Sequence, residues 1–228
     1  MKKLGILGGM GPVSTVYFYD LIIKIFQKRY NAVYHSDYPY IAMLSVPIPD
    51  NVEDLKQKNK MREELIEAAQ TLEKIGVDLI VMPCNTEHIF YKDITEKVSL
   101  PVLNIVDETL KQVQKKNCKK LLLLSTLSTI RYGLYEGRGS SVNIVKPSQS
   151  EQNTVNKIIY NLLAGKVLEE DADIIVNIID KYELDGVIVG CTELSLLFDI
   201  INPKISKNRM VFDSTKILAE KTVEEILR

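Results

Sequence analysis

Two cysteines and what surrounds them carry the first question. Residues 79–88 read LIVMPCNTEH, and residues 185–194 read DGVIVGCTEL. Aligning Asp78 with Asp185 puts Cys84 and Cys191 at the same offset, each behind an apolar run and a helix-breaking residue, Pro83 or Gly190. Hydrogen-bonding side chains follow both thiols: Asn85, Thr86 and His88 after the first, Thr192 and Glu193 after the second. A carbon acid held between two facing thiols can lose a proton to one and regain one from the other, which is stereoinversion without a cofactor. Thiolate suits the task because its ordinary pKa of about 8.5 falls beside helix N-termini and hydrogen-bond donors. Both cysteines stand where a strand passes into a helix, so first-turn amides are expected to stabilise the anion. The α-proton of an amino acid is very weakly acidic. Preorganised donors must therefore grip the carboxylate as the carbanion forms, and Asn85, Thr86 and Thr192 are suitable groups.

Other roles for the cysteines fit less well. A free cysteine is commonly a small core residue, and Cys118, with no such polar surroundings, is read as structural. Cys84 and His88 are spaced four apart, with Cys191 as a third candidate ligand. Zinc sites, however, show close pairs of thiols or imidazoles, and the only other histidine is His35, so no metal is expected. A redox dithiol would show Cys-x-x-Cys, which is absent.

Composition narrows the class. With 29 Lys and Arg against 30 Asp and Glu, well interspersed, the chain has no electrostatic footprint for nucleic acid or an anionic membrane. The basic start MKKLGILGGMGP is broken by Gly5, Gly8 and Gly9 and closed by Pro12, unlike a secretory leader. No window reaches the length of a membrane span. Three cysteines without a pairing motif suit a reducing compartment, so the cytoplasm is expected.

The elements that must position the thiols alternate. KLGILGG, YIAMLSV and VDLIVMP read as strands, PVSTVYFYDLIIKIFQKR and LKQKNKMREELIEAAQTLEKIG as helices between them, and Thr86 to about Lys97 as a helix after the third strand. From Lys119 the pattern restarts: KKLLLLST echoes KKLGILGG, a helix begins near Leu127, VNIVKP is a strand, helices cover 150–164 and 167–182, and DGVIVGC closes the unit. The tail MVFDSTKILAEKTVEEIL reads as a strand and a helix capped by Asp213 or Ser214. The fold class is α/β with parallel sheets in two similar lobes, residues 1–100 plus 209–228 and residues 101–208. Ligands of such sheets bind outside the carboxyl ends of the strands, where both cysteines lie.

The stretches GILGGMGPVST, PCNTEH, LLLST and GCTEL resemble the aspartate/glutamate racemase family, cofactor-independent amino-acid racemases, along essentially the whole chain. The resemblance implies two Rossmann-like lobes related by a pseudo-twofold axis, an active site in the cleft between them, a homodimer, and a small amino acid as substrate. It makes Cys84 and Cys191 the acid/base pair, with the second-cysteine motif intact rather than exchanged for threonine as in some relatives. Asn85, Thr86, Thr126 and Thr192, with the Met10–Gly11 turn, would bind carboxylate and amino group. His88 and Glu193 would orient or tune the thiols.

Two departures bear on the substrate side chain. Asn51 stands where aspartate racemases often carry an arginine, and Asn153 and Thr154 where they carry a lysine. A buried carboxylate without a cation is costly. Either the side chain is longer or neutral, or Lys157, Lys60 or Arg62 compensates; aspartate, glutamate and related small amino acids are the substrates considered. The same thiols would also serve a maleate-type cis-trans isomerase, and a non-catalytic small-carboxylate-binding protein would keep the same cleft. GILGGMGP is a poor dinucleotide fingerprint, since the frame from Gly9 reads GMGPVS, ending in serine, with no convincing acidic partner after a second strand, and it is better read as a turn that approaches a small carboxylate. Tyr17, Phe18 and Tyr19 are read as core and interface.

Overall fold

The computed structural model describes residues 1–49, 52–53, 57–137 and 142–228. Asp50 and Asn51 lie outside the described residues.

The first sheet is built from β1 (Leu4–Gly8), β2 (Ile41–Ser45), β3 (Leu79–Val81) and β4 (Val102–Leu103), all parallel, in the order β2-β1-β3-β4. The second has β5 (Lys120–Leu124), β6 (Asn143–Val145), β7 (Gly186–Val189) and β8 (Met210–Asp213), parallel and in the equivalent order β6-β5-β7-β8. Helices α1 (Pro12–Tyr30), α2 (Lys58–Ile75), α3 (Tyr91–Thr95) and α4 (Ile105–Lys115) belong to the first half. Helices α5 (Leu127–Arg131), α6 (Gln149–Leu163), α7 (Glu169–Asp180), α8 (Ser195–Ile201) and α9 (Ser214–Leu227) belong to the second. The chain is thus an α/β protein of two similar lobes, and β3 and β7, the strands leading to the cysteines, are equivalent.

The repeat extends to its hydrogen bonds. Asp78 accepts from the Lys3 amide at 2.7 Å, and Asp185 accepts from the Lys119 amide at 2.7 Å. Each aspartate thereby sets the register between two neighbouring strand starts. The central strands are buried on both faces, which explains their continuous apolar runs. One apolar core contains residues of both sheets and of α1, α4 and α9, among them Ile6, Phe18, Val106, Leu121, Ile188 and Leu218. The equivalent helices α4 and α9 pack on each other, so the lobes are joined through buried surface. Two further cores fill the outer faces, one under α2 and one under α6, α7 and α8.

The strand pairings depart from the expected division in two places. Val102–Leu103 completes the first sheet, and Met210–Asp213 completes the second. The expected helix after Cys84 is also different: Thr86–Phe90 forms a 3₁₀ turn before the short α3. No helix among the described residues is long and apolar enough to cross a membrane.

At the start of α6, Ser148 and Glu151 form a capping box. Glu151 also accepts from Tyr182 Oη at 2.5 Å and Lys181 Nζ at 3.0 Å, tying α6 to the end of α7. These donors, Tyr182 first, hold the Glu151 carboxyl down at about 2. A depressed carboxylate stabilises the fold above its unfolded pKa and loses that contribution as pH falls through the folded value. Wild type is expected to lose about 1–2 kcal/mol between roughly pH 4.5 and pH 2 from this residue. Glu151→Gln should be less stable at neutral pH and lack that acid step, which urea melts at a series of pH values would measure.

Candidate active site

Four loops at the carboxyl ends of β1, β3, β5 and β7 meet. The loop after β1 is shaped by glycines: Gly9 and Gly11 have φ of 94° and 89°, in the left-handed region. A Cβ at Gly11 would collide with the carboxylate of Glu193 from the other lobe. That carboxylate accepts from Ser14 Oγ at 2.8 Å, Thr192 Oγ1 at 3.2 Å and Cys191 Sγ at 3.2 Å. The first loop is therefore built onto the second cysteine.

Residues Met10, Gly11, Val52, Cys84, Asn85, Thr86, Thr126, Leu163, Cys191, Thr192 and Glu193 line one small cavity of about 310 Å³, its open mouth included. Both thiols are thus brought to one space, and each is almost fully buried. Met10, Gly11, Asn85, Thr86, Thr126 and Thr192, chosen from the sequence, all lie on it, with Glu193. Thr86 and Thr126 come from different lobes, and their hydroxyls are 2.9 Å apart, with Thr129 joining both. Thr126 also caps α5 by accepting from the Thr129 amide. Asn85 is on the wall, but its amide is engaged across the lobes: Nδ2 donates to Ser214 at 3.0 Å, and Oδ1 accepts from Tyr135 at 2.5 Å.

His88 stands one layer behind. Its Nε2 accepts from the Ile105 amide at 3.2 Å, so Nδ1 carries the proton and donates to the Cys84 carbonyl at 2.7 Å. The imidazole thus fixes the backbone of Cys84 rather than touching its thiol. On α2, Lys60 pairs with Glu64 of the same helix and Arg62 with Asp93 of α3, and Lys157 is exposed on α6. None of the three lines the cavity, nor do Asn153 and Thr154.

Three residues were missed by sequence reasoning. Val52 and Leu163 add apolar wall. Glu87, wholly buried, accepts a hydrogen bond from the Cys84 thiol. Its signal was the Thr-Glu pair that follows each cysteine, directly after Cys191 and one residue later after Cys84.

The electrostatics correct one expectation. Both thiols were expected to be lowered by first-turn amides. Burial instead pushes each well above the ordinary thiol range, and carboxylates add to it, Glu87 and Glu193 at Cys84 and Glu193 at Cys191. The amides of Glu87 at Cys84, and of Glu193 and Leu194 at Cys191, do act in the lowering direction but are outweighed. Dehydration of a deeply buried charge costs more than one or two backbone dipoles return.

This geometry can be set beside known proteins. Residues 7–222 match the Asp/Glu/Hydantoin racemase family. The chain belongs to that family. Racemases are isomerases. A broad specificity amino-acid racemase of Bacillus subtilis is 32% identical over 228 residues, covering 98% of each chain. Among solved structures, an aspartate racemase homologue from Pyrococcus horikoshii aligns with a TM-score of 0.82 at 30% identity, covering 100% of both chains. The Picrophilus torridus aspartate racemase aligns with a TM-score of 0.82 at 29% identity, covering 99% of this chain and 94% of that one.

Proposed function

We propose that this protein is a cofactor-independent amino-acid racemase in which Cys84 and Cys191 are the two bases, one for each enantiomer. The observation that carries the reading is that the two thiols, reaching in from equivalent strands of the two lobes, line a single cavity. The substrate's α-carboxylate takes hydrogen bonds from the Thr86 and Thr126 hydroxyls, and Cα lies between the sulfurs. One thiolate removes the α-proton while the opposite thiol delivers its own to the other face. The substrate ammonium adds a positive charge to a cavity whose described lining residues include no lysine or arginine.

The side chain then meets Met10, Val52 and Leu163. Among the described residues lining the cavity there is no lysine or arginine. We therefore place neutral amino acids of moderate size ahead of aspartate and glutamate, in keeping with the broad specificity named for the Bacillus subtilis relative. The working form in this reading is a cytoplasmic homodimer, and exposed Val13, Val16 and Tyr19 on α1 offer apolar surface for it.

Proton NMR in D2O, with single-enantiomer amino acids and no added cofactor, tests the reading through loss of the α-proton signal. Several neutral amino acids should exchange and racemise, with aspartate slower by on the order of 10- to 100-fold because its carboxylate would be buried against described lining residues that include no lysine or arginine. Aspartate as the best substrate would overturn the side-chain assignment, and no exchange in any amino acid would overturn the racemase reading.

A further inference from the structure

Two buried thiols raise a problem: the described residues lining the cavity include no lysine or arginine, and burial with nearby carboxylates outweighs the first-turn amides, yet the reaction needs a thiolate. The wall's answer is local. Each cysteine has its own carboxylate, Glu87 at Cys84 and Glu193 at Cys191. Glu193 reaches the cavity and is held by Ser14 and Thr192. Glu87 does not line the cavity, is wholly buried, and meets the Cys84 sulfur from behind.

We propose that Glu87 is the positioning residue that takes the proton of Cys84, so that the thiol and the carboxylate share one proton and the thiolate forms without any change in the charge of the pair. This rests on the racemase reading above. In the step, the Cys84 S–H bond breaks and an O–H bond forms on Glu87 Oε2. One proton crosses and the pair stays at one negative charge. The thiolate then removes the substrate α-proton, its electron pair staying on Cα, while the Cys191 thiol protonates the opposite face. After product leaves, the proton count of the two cysteine–glutamate pairs resets by exchange with solvent.

Sharing resolves the electrostatic difficulty. Ionising a buried thiol beside an ionised carboxylate would put two negative charges in contact in a poorly hydrated space. Moving the proton between them keeps that pair at a single negative charge until the substrate proton arrives. Turnover then leaves the Cys84 pair neutral and Cys191 as the thiolate until solvent exchange restores both, and two interacting groups of this kind titrate as a pair. Among the described residues, the ionisable groups acting on Cys84 are Glu87 and Glu193, both acidic, and burial and both carboxylates push the thiol up. The imidazole of His88 is committed to the Cys84 carbonyl and the Ile105 amide, which leaves Glu87 as the base in contact with the sulfur.

The test is iodoacetamide labelling of Cys84, read at its own peptide by mass spectrometry across the neutral range, in wild type and Glu87→Gln. No turnover is involved, so the result is separable from any failure to find a substrate. In wild type a shared proton gives a labelling rate that barely changes with pH between the two titrations of the pair. A rise of about tenfold per pH unit would instead mean an isolated thiol. Glu87→Gln should lose the plateau and label at least about tenfold more slowly at neutral pH. If Glu87 only repels the thiolate, removing its charge speeds labelling, and that sign would overturn the proposal. The wild-type plateau decides the matter even if the variant does not fold.

Turnover gives a second readout. Enantiomers have equal free energy in water, so interconversion by Glu87→Gln must fall equally from both sides. Exchange of the α-proton without inversion should fall, by on the order of 100-fold, only for the enantiomer presented to Cys84. An equal fall for both enantiomers would mean a general structural role and would sink the idea.

Discussion

Cys84→Ala and Cys191→Ala are each expected to cut interconversion of enantiomers by on the order of 1,000-fold or more, while each leaves α-proton exchange intact for one enantiomer. The argument starts from geometry. The two sulfurs share one cavity, and in the proposed mechanism the substrate's Cα presents its hydrogen to one sulfur in one enantiomer and to the other in its mirror image. With Cys84 removed, the Cys191 thiolate still deprotonates the enantiomer facing it, and in D2O it returns a deuteron to the same face. Configuration is retained and the α-proton signal disappears. The other enantiomer finds no base and stays protonated. Cys191→Ala should show the opposite preference, and the double variant should do neither. NMR for exchange and chiral chromatography for inversion separate the two events. A small core cysteine would behave differently, its alanine variant interconverting enantiomers at the wild-type rate with only a modest loss of stability. That result at either position would end the two-base mechanism.

Much of this arrangement is legible in the residues. The equal offset of the cysteines from Asp78 and Asp185 reflects one supersecondary unit used twice, and the structure gives both aspartates the same job at a strand start. The six cavity residues read beside the thiols are found there because they sit on strand-end loops, whose position follows from the parallel sheets. What stayed hidden has physical causes. Val102–Leu103 is a strand of two residues, too short for any periodicity, and α4 after it was passed over although Asn104 caps it by accepting from the amides of Val106 and Asp107. The tail was placed with the first lobe. Its strand pairs with β7 in the second, yet α9 packs on α1 and its last turn accepts from the Lys2 amide, so the end of the chain does reach the first lobe. Val52 and Leu163 come from a loop and a helix end far apart in sequence, and only packing brings them to the wall. The direction of the thiol shifts was misjudged because backbone amides are visible in a motif, whereas the depth of burial is not.

Gly11→Ala should cost about 1–3 kcal/mol of stability and, separately, on the order of 100-fold in racemisation by the protein that remains folded. Gly11 sits at φ 89°, where an alanine is strained whatever its neighbours. The added methyl also collides with the Glu193 carboxylate, which cannot swing away freely because Ser14, Thr192 and Cys191 all donate to it. Displacing it pulls the acceptor off the Cys191 thiol and shifts a group on the cavity wall. Gly76 supplies the comparison. It has nearly the same dihedral, φ 85°, at the end of α2, but a Cβ there meets nothing. Gly76→Ala therefore carries the backbone penalty alone and should lose stability with unchanged turnover. Thermal melts and racemisation rates of the two variants, side by side, separate the strain from the collision. Equal turnover in both would mean that Glu193 does not need its present position, and the link from the glycine turn to the second cysteine would have no part in catalysis.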